Sequence, residues 1–243
     1  MSNRKKSCIG IVVSVPAEGS ILTRGLKKVA EANLPYYKGS LAGRPVIVVV
    51  SGIGKVNASH AATRLILEHK PGLVMNIGVG GAYASAGLAI GDIAIAEKEI
   101  YGDEGVMLGD GLHDVTCIGI PLLQKGRKKY FNEFPLDRKL MRKAVTSIDT
   151  DGAAFAFRSG PFVTVSACTG TARRAQEIEE RFHAVCENME GAAIAHVCAR
   201  YGIPLVEMRG ISNLVRDRDL SGWNISLAAE NCQAAARNLI SVV

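Results

Sequence analysis

The sequence predicts an α/β fold in which a central, mostly parallel or mixed, twisted sheet is flanked by helices. Short and almost continuously apolar runs alternate along the chain with amphipathic helical patterns. The 243 residues are 48% hydrophobic and include 26 glycines, which is enough for a large core and for many turns between strands and helices. We expect a single domain over residues 1–243, with a frayed basic N-terminus at residues 1–7.

Six apolar runs are predicted to be strands. Their residues are apolar with little alternation, as in strands that are covered on both faces. The predicted strands are Cys8–Val15, Pro45–Ser51, Leu73–Gly78, Asp92–Glu97, Phe162–Ala167 and Leu205–Ser212.

Helical patterns lie between these runs. In "KVNASHAATRLILEHK" the apolar residues Ala58, Ala61, Ala62, Leu65 and Ile66 fall on one face. "GTARRAQEIEERF" is amphipathic, "ENMEGAAIAHVCARYG" is mostly apolar, and "SLAAENCQAAARNLI" closes the chain. This alternation predicts a sheet enclosed between helices.

Charge and cysteine usage exclude several classes of protein. The formal net charge is +6, but much of it lies in the runs Asn3–Lys6 and Lys125–Tyr130, which we interpret as a terminus and a solvated loop; steering of an anionic substrate is the alternative. No nucleic-acid-binding signature is present. The six cysteines are scattered without a C-x-x-C pair, which favours a reducing compartment. No apolar run reaches the ~18 residues of a membrane helix, so we predict a cytoplasmic protein without membrane or nucleic-acid partners.

Two glycine-rich stretches resemble nucleotide-binding motifs but do not match them. "SGIGKVN" lacks the phosphate-loop spacing, and in "GVGGAY" Tyr83 stands where a dinucleotide loop needs its third glycine. We interpret both as tight turns after strands. The histidines lack metal-ligand spacing, and no G-x-S-x-G motif appears. We therefore predict no metal and no cofactor.

Polar residues collect where the predicted strands end. In sheets of this kind, ligands bind at the carboxyl ends of the strands. Glu18, Glu190, Arg209, Ser212 and Asn213 all fall at this edge. Two carboxylates, a guanidinium and an amide suit a substrate with hydroxyl groups, and paired carboxylates suggest cleavage of a glycosidic bond.

Glu190 allows two interpretations. It stands in the first turn of an apolar helix, where Asn188 can cap and an acidic group is favoured by the helix dipole. Alternatively, its carboxylate lines a pocket and holds a ligand. The local sequence alone favours capping.

Four motifs carry a resemblance that covers nearly the whole chain. "SGIGKVNA", "GLAIGDIAIAEKEIYGDEGV", "NMEGAAIAHVC" and "RGISN" resemble the nucleosidases and nucleoside phosphorylases of the purine nucleoside phosphorylase superfamily, and within it the futalosine hydrolase group. Residues 125–157 match least. The resemblance implies a nucleoside phosphorylase-like fold and a homo-oligomer with sites near subunit contacts, to which the loop "YGDEGVMLGDGLHD" is a candidate contributor.

The resemblance also implies roles for individual residues. Glu18 corresponds to the acid that activates water, Met189 lies under the ribose ring, and Glu190 accepts hydrogen bonds from the 2′- and 3′-hydroxyls. Asn213 replaces the aspartate of adenine-specific relatives, and Val79 replaces a hydroxyl residue, which favours hydrolysis over phosphorolysis. The catalytic candidates are Glu18 and Asn213, and the substrate-binding candidates are Val79, Gly80, Thr169, Met189, Glu190, Arg209 and Ser212.

The implied activity is hydrolysis of the N-ribosidic bond of a 6-oxopurine nucleoside, with futalosine as substrate and hypoxanthine as the released base. The alternatives are a purine nucleoside phosphorylase, a methylthioadenosine or aminofutalosine nucleosidase, and a nucleoside-binding protein without catalysis.

Overall fold

The computed structural model describes residues 7–31, 34–148 and 155–243, and the side chains of residues 30 and 31 are not described. The basic N-terminus predicted at residues 1–7 therefore lies outside the described residues, except for Ser7. The helices are α1 (Lys55–His69), α2 (Arg138–Ile148), α3 (Ala172–Phe182), α4 (Gly191–Tyr201) and α5 (Ile225–Val242). The strands are β1 (Ile9–Val13), β2 (Lys27–Glu31), β3 (Leu34–Leu41), β4 (Arg44–Val50), β5 (Leu73–Ala82), β6 (Ile93–Tyr101), β7 (Val106–Leu108), β8 (Gly111–His113), β9 (Leu123–Lys125), β10 (Lys128–Tyr130), β11 (Glu133–Pro135), β12 (Phe157–Thr164), β13 (Cys186–Asn188) and β14 (Leu205–Leu214).

The predicted α/β class is confirmed, and the sheet is mixed. Within the described part of the chain, ten strands form one sheet in the order β11-β6-β12-β13-β5-β1-β4-β3-β2, and β14 pairs with both β5 and β6. As a result, the strands β6, β12, β13, β5 and β14 pair in a closed ring. We call these five strands the ring strands.

The apolar strands contribute side chains to two hydrophobic cores, one on each face of the sheet. Successive side chains of a strand point to opposite faces, so Ile9 and Ile11 of β1 pack on one side while Val12 packs on the other. Helices α1 and α4 cover the Val12 side, and α2 and α5 cover the opposite side. The predicted apolar face of α1 is buried throughout, which confirms that assignment.

The structure corrects several predicted boundaries. "GVGGAY" is not a turn, because β5 continues through Val79, Gly80 and Gly81 to Ala82. A side chain at Gly78 would collide with the Glu18 carboxylate, and one at Gly80 would lie 2.6 Å from Cys186 Sγ. These glycines therefore provide space within a strand. The basic run at Lys125–Tyr130 is also not a loop, since β9 and β10 form an antiparallel hairpin there.

Strands β2 and β3 and helix α2 were not predicted. β2 and β3 pair antiparallel with each other at the end of the sheet, next to β4. Their sequences, "KKVAE" and "LPYYKGSL", mix charged, polar and aromatic residues and lack the continuous apolar character of the central strands. β2 is the edge strand and β3 is its neighbour, and strands at or next to an edge are partly solvated and tolerate such residues.

Gly210 on β14 lies close to the backbone of α5, so we expect a side chain at this position to destabilise the protein. In Gly210→Ala the new methyl group would collide with the Ala228 carbonyl oxygen of α5, whose backbone cannot move away alone. We expect a loss of about 1–3 kcal/mol in the free energy of unfolding, as is typical of overpacking, measured by urea denaturation. The control is Gly109→Ala, because a methyl group there has no atom within 4 Å. Equal stability of the two variants would contradict this packing.

Candidate active site

A cavity of about 290 Å³ opens beside the C-terminal parts of three ring strands, β5, β13 and β14. Eight predicted site residues line it, together with ten that were not predicted. The predicted ones are Glu18, Val79, Gly80, Thr169, Met189, Glu190, Ser212 and Asn213. The others are Ser14, Val15, Ile53, Gly81, Cys168, Glu187, Asn188, Arg218, Trp223 and Ile225.

Glu18 is held on a single turn of 3₁₀ helix, Pro16–Gly19, after β1. Its Oε2 accepts hydrogen bonds from the backbone N–H groups of Ser14 (2.9 Å) and Val15 (3.1 Å), and its Oε1 accepts one from Val79 (2.8 Å). Burial, opposed by Arg209, raises the pKa of Glu18 above its ordinary value. The result is a fixed carboxylate that is more basic than an exposed one.

The turn that carries Glu18 is anchored from α5. The buried Gln233 side chain accepts hydrogen bonds from the backbone N–H groups of Ile21 (2.7 Å) and Leu22 (3.2 Å) and donates to the Ala17 carbonyl (3.4 Å). This amide therefore connects the last helix to the catalytic candidate at the start of the chain.

Other side chains cap α4, which leaves the Glu190 carboxylate free for another role. Asn188 Oδ1 accepts hydrogen bonds from the N–H groups of Glu190 (3.0 Å) and Gly191 (2.7 Å), and Thr164 Oγ1 accepts one from Ala192 (2.7 Å). The predicted cap by Asn188 is thus confirmed. The Glu190 side chain turns away from its own helix and accepts a hydrogen bond from the N–H of Gly54 (2.9 Å), just before α1.

Arg209 lies behind the cavity wall. It is 1% exposed, and its Nε (3.0 Å) and Nη2 (2.9 Å) contact Glu207 Oε1. Its Nη1 donates to the Val79 carbonyl at 3.3 Å and lies 3.5 Å from Glu190 Oε2. Arg209, which was predicted to bind substrate, is not among the residues that line the cavity; it approaches the Glu190 carboxylate, which does line it.

Glu187, which was not predicted, fixes another part of the wall. Its Oε1 accepts a hydrogen bond from Thr169 N (2.9 Å), while its Oε2 accepts from Thr169 Oγ1 (2.5 Å) and from the Tyr83 hydroxyl (2.9 Å). Burial and the Glu187 carboxylate raise the pKa of Tyr83, so this hydroxyl keeps its proton and donates. The loop at Thr169 is therefore anchored to β13 and β5.

The side-chain amide of Asn213, which lines the cavity, has hydrogen-bonding positions that its neighbours do not use. Its Oδ1 lies 2.8 Å from the Ser212 hydroxyl, and its Nδ2 donates to the Leu214 carbonyl at 3.2 Å. An amide oxygen has two lone pairs and an amide nitrogen has two hydrogens. One acceptor and one donor position thus remain available.

Apolar and aromatic groups complete the cavity. Met189 Sδ lies 3.3 Å from Cys168 Sγ, and the Arg218 guanidinium stacks over the Trp223 ring at 5.1 Å. Of these groups, only Trp223 stands out in the sequence, because it is the single tryptophan of the chain. In the described residues, no three His, Cys, Asp or Glu side chains are grouped to bind a metal ion. Nor does any helix in those residues combine the length and the hydropathy that crossing a membrane requires.

Comparisons with known proteins show the family of this chain. The family model of the phosphorylase superfamily matches residues 9–243. The chain is 30% identical to futalosine hydrolase of Thermus thermophilus over 201 residues, covering 83% of this chain and 84% of that protein. It is 34% identical to 5′-methylthioadenosine/S-adenosylhomocysteine nucleosidase of Shewanella halifaxensis over 210 residues, covering 84% and 85%. The crystal structure of the corresponding Neisseria meningitidis nucleosidase in complex with methylthio-immucillin-A superimposes with a TM-score of 0.84 at 25% identity, covering 98% of this chain and all of that one.

The buried Glu18 predicts a pH-dependent effect on stability. Because its pKa is raised in the folded state, the folded protein keeps a proton that the unfolded chain releases above about pH 4.3. Stability contributed by Glu18 therefore falls as the pH rises from that value to the folded-state pKa. Glu18→Gln should gain stability relative to wild type over this range, as measured by urea denaturation at several pH values. A difference in stability between Glu18→Gln and wild type that stays constant with pH would contradict the raised pKa of Glu18.

Proposed function

The chain belongs to the phosphorylase superfamily, and from this premise we propose that it is a nucleosidase that hydrolyses the N-ribosidic bond of a 6-oxopurine nucleoside, with futalosine as substrate. The observation that carries the proposal is the pair of fixed carboxylates, Glu18 and Glu190, on one wall of a cavity that Asn213 also lines.

The charges around the cavity favour a cationic transition state. Glu18 and Glu190 are both within the coulombic reach of Arg209, whose guanidinium is also bound to Glu207. A single cation faces three carboxylates, so the wall is short of positive charge. Cleavage of a glycosidic bond passes through an oxocarbenium-like state, and that positive charge is stabilised by nearby carboxylates.

In the proposed reaction the C1′–N9 bond breaks and its electron pair goes to the purine. A proton from solvent adds to N7 as the base leaves, and the resulting N7–H donates to Asn213 Oδ1 while O6 accepts from Asn213 Nδ2. Glu190 accepts hydrogen bonds from the ribose 2′- and 3′-hydroxyls, which are strengthened by its charge. Glu18 takes a proton from the attacking water as the new C1′–O bond forms.

Hydrolysis suits this wall better than phosphorolysis. A phosphate ion would have to approach two carboxylates, and the Val79 N–H, which could have bound it, already donates to Glu18. Among the described residues that line the cavity, Arg218 is the one basic side chain, and it stacks on Trp223. A phosphate-dependent reaction is therefore disfavoured by both charge and hydrogen bonding.

A 6-aminopurine substrate is the second candidate. It is favoured by the likeness to methylthioadenosine/S-adenosylhomocysteine nucleosidases, one of which is 34% identical to this chain. The residue that we expect to decide between the two bases is Asn213.

We also propose that the enzyme is a cytoplasmic homo-oligomer. Several large apolar side chains near the cavity or on the β7–β8 hairpin are exposed, including Ile53, Val56 and Met107. Such residues are more typical of subunit contacts than of a free surface.

The main experiment separates hydrolase, phosphorylase and binding protein. Purified wild type and Glu18→Gln are incubated with futalosine, aminofutalosine, inosine and methylthioadenosine, with and without phosphate, and the free base and the sugar product are quantified. We expect phosphate-independent release of hypoxanthine from futalosine. Glu18→Gln should be about 100- to 10,000-fold slower, because an amide is a poor general base, while substrate binding stays measurable.

Three outcomes would contradict the proposal. Recovery of a sugar 1-phosphate as the main product would indicate a phosphorylase. Tight binding of intact nucleoside without release of base would indicate a binding protein. Near-normal turnover by Glu18→Gln would remove Glu18 from water activation.

Asn213→Asp should change the preference between bases. A 6-oxopurine protonated at N7 presents a donor beside an acceptor, which an asparagine matches, whereas an ionised aspartate offers only acceptors. A mispaired buried polar group costs about 1–3 kcal/mol, so the ratio of kcat/KM for futalosine over aminofutalosine should fall by about ten-fold or more. The exposed Asn238→Asp, which adds the same charge away from the cavity, serves as the control. An unchanged ratio in Asn213→Asp would show that Asn213 does not select the base.

A further inference from the structure

Two carboxylates that the proposed reaction does not use, Glu99 on β6 and Glu207 on β14, are fully buried. They lie side by side against the first turn of α4. A Cβ atom at Gly191 would collide with Glu99 Oε1 and would lie 2.6 Å from Glu207 Oε1. Their Oε1 atoms therefore both border the space that Gly191 leaves open.

The surroundings of this pair provide one positive charge. Arg209 contacts Glu207 and is shared with Glu190. Several neutral groups also lie near the pair: the Thr164 hydroxyl, the amides of Asn76 and Asn188, the thiols of Cys186 and Cys198, and the Tyr101 hydroxyl. Two adjacent ionised carboxylates without exposure would repel each other strongly at such a site.

We propose that Glu99 and Glu207 share one proton and act as a positioning pair that fixes Glu190 from two directions. Glu207 is the ionised partner because it binds Arg209. Glu99 keeps the proton and donates a hydrogen bond to Glu207. Burial and the neighbouring Glu207 raise the pKa of Glu99 well above its ordinary value, which supports this distribution. The inference rests on the proposed role of Glu190 in binding ribose.

Glu99 acts on the backbone of Glu190 through two intermediate side chains. Glu99 Oε1 accepts a hydrogen bond from Asn188 Nδ2 (2.7 Å), and Glu99 Oε2 accepts one from Thr164 Oγ1 (2.7 Å). Asn188 and Thr164 in turn accept hydrogen bonds from the first N–H groups of α4, including that of Glu190. Glu99 therefore orients the two side chains that determine where Glu190 leaves the backbone.

Glu207 acts on the side chain of Glu190 through Arg209. Glu207 Oε1 holds the Nε and Nη2 edge of Arg209, and this directs Nη1 toward Glu190 Oε2 and the Val79 carbonyl. Glu207 Oε2 is buried and lacks a well-formed hydrogen bond among the described residues, although the Asn76 amide faces the carboxyl group. A hydrogen bond from protonated Glu99 would stabilise the ionised Glu207, whose Oε1 lies next to Glu99 Oε1 at Gly191.

Infrared spectroscopy tests the shared proton without any need for activity. The difference spectrum between wild type and Glu99→Gln at neutral pH should contain the carbonyl band of one protonated carboxylic acid, present only in wild type. The exposed Glu97→Gln, on the same strand, is the matched control and should not remove that band. If Glu99→Gln removes no such band, the shared proton is disproved, whatever the enzyme hydrolyses.

Kinetics test the positioning role. Glu207→Gln removes the charge that orients Arg209, so KM for the ribosyl substrate should rise by about ten-fold or more, with a much smaller change for the 2′-deoxyribosyl analogue. Glu99→Gln can still donate to Glu207 through its amide nitrogen and loses only the hydrogen bond from Asn188. It should therefore change KM less than Glu207→Gln does.

The outcomes separate this inference from the proposed function. Equal losses on ribosyl and deoxyribosyl substrates in Glu207→Gln would overturn the positioning role. A wild type that treats the two sugars alike would contradict the ribose contact of Glu190, and with it the positioning role, but would leave the infrared result valid. If Glu207→Gln fails to fold, Glu99→Gln still decides: a ribose-selective rise in KM without loss of the acid band overturns the pair.

Discussion

The candidate site depends on one buried cation. Arg209 bonds to Glu207, approaches Glu190 and supports the backbone of Val79, which in turn donates to Glu18. Burying a charge is unfavourable unless partners surround it, and two of the partners of Arg209, Glu190 and Val79, also line the cavity. One guanidinium shared among carboxylates leaves an excess of negative charge. In the proposed reaction, the substrate becomes cationic as the bond breaks and supplies the missing positive charge.

The ring strands explain how so many polar groups can meet in an apolar fold. Each of the five contributes at least one member: Val79 from β5, Glu99 from β6, Thr164 from β12, Asn188 from β13 and Arg209 from β14. Because these strands are paired in a closed ring, their relative positions are fixed by backbone hydrogen bonds and not by flexible loops. Preorganised dipoles of this kind lose little free energy when charge develops nearby.

The sequence predicted the central strands and the face of α1 because continuous apolar runs and a 3.6-residue period are local signals. It also predicted Glu18 and Glu190 as cavity residues, since both follow strands. It did not predict Glu99, Glu187 or Glu207, because Glu99 and Glu187 have partners far away along the chain and only the sheet brings Glu207 next to Glu99. A usable signal existed for Glu207, a charged residue in the middle of "LVEMRGIS". The misreading of "GVGGAY" has a related cause, since glycine can leave space for a side chain from another strand as well as permit a turn.

Gly191 restricts the order in which this protein can change during evolution. Its missing side chain provides the room that Glu99 and Glu207 occupy, so any larger residue is incompatible with both carboxylates in place. A descendant that gains a side chain at position 191 would first have to shorten or neutralise one of the two acids. Conversely, a relative with a larger residue there could not acquire the acidic pair in a single step. The residues allowed at each of these three positions therefore depend on the residues at the other two, although the positions are spread over two strands and a helix.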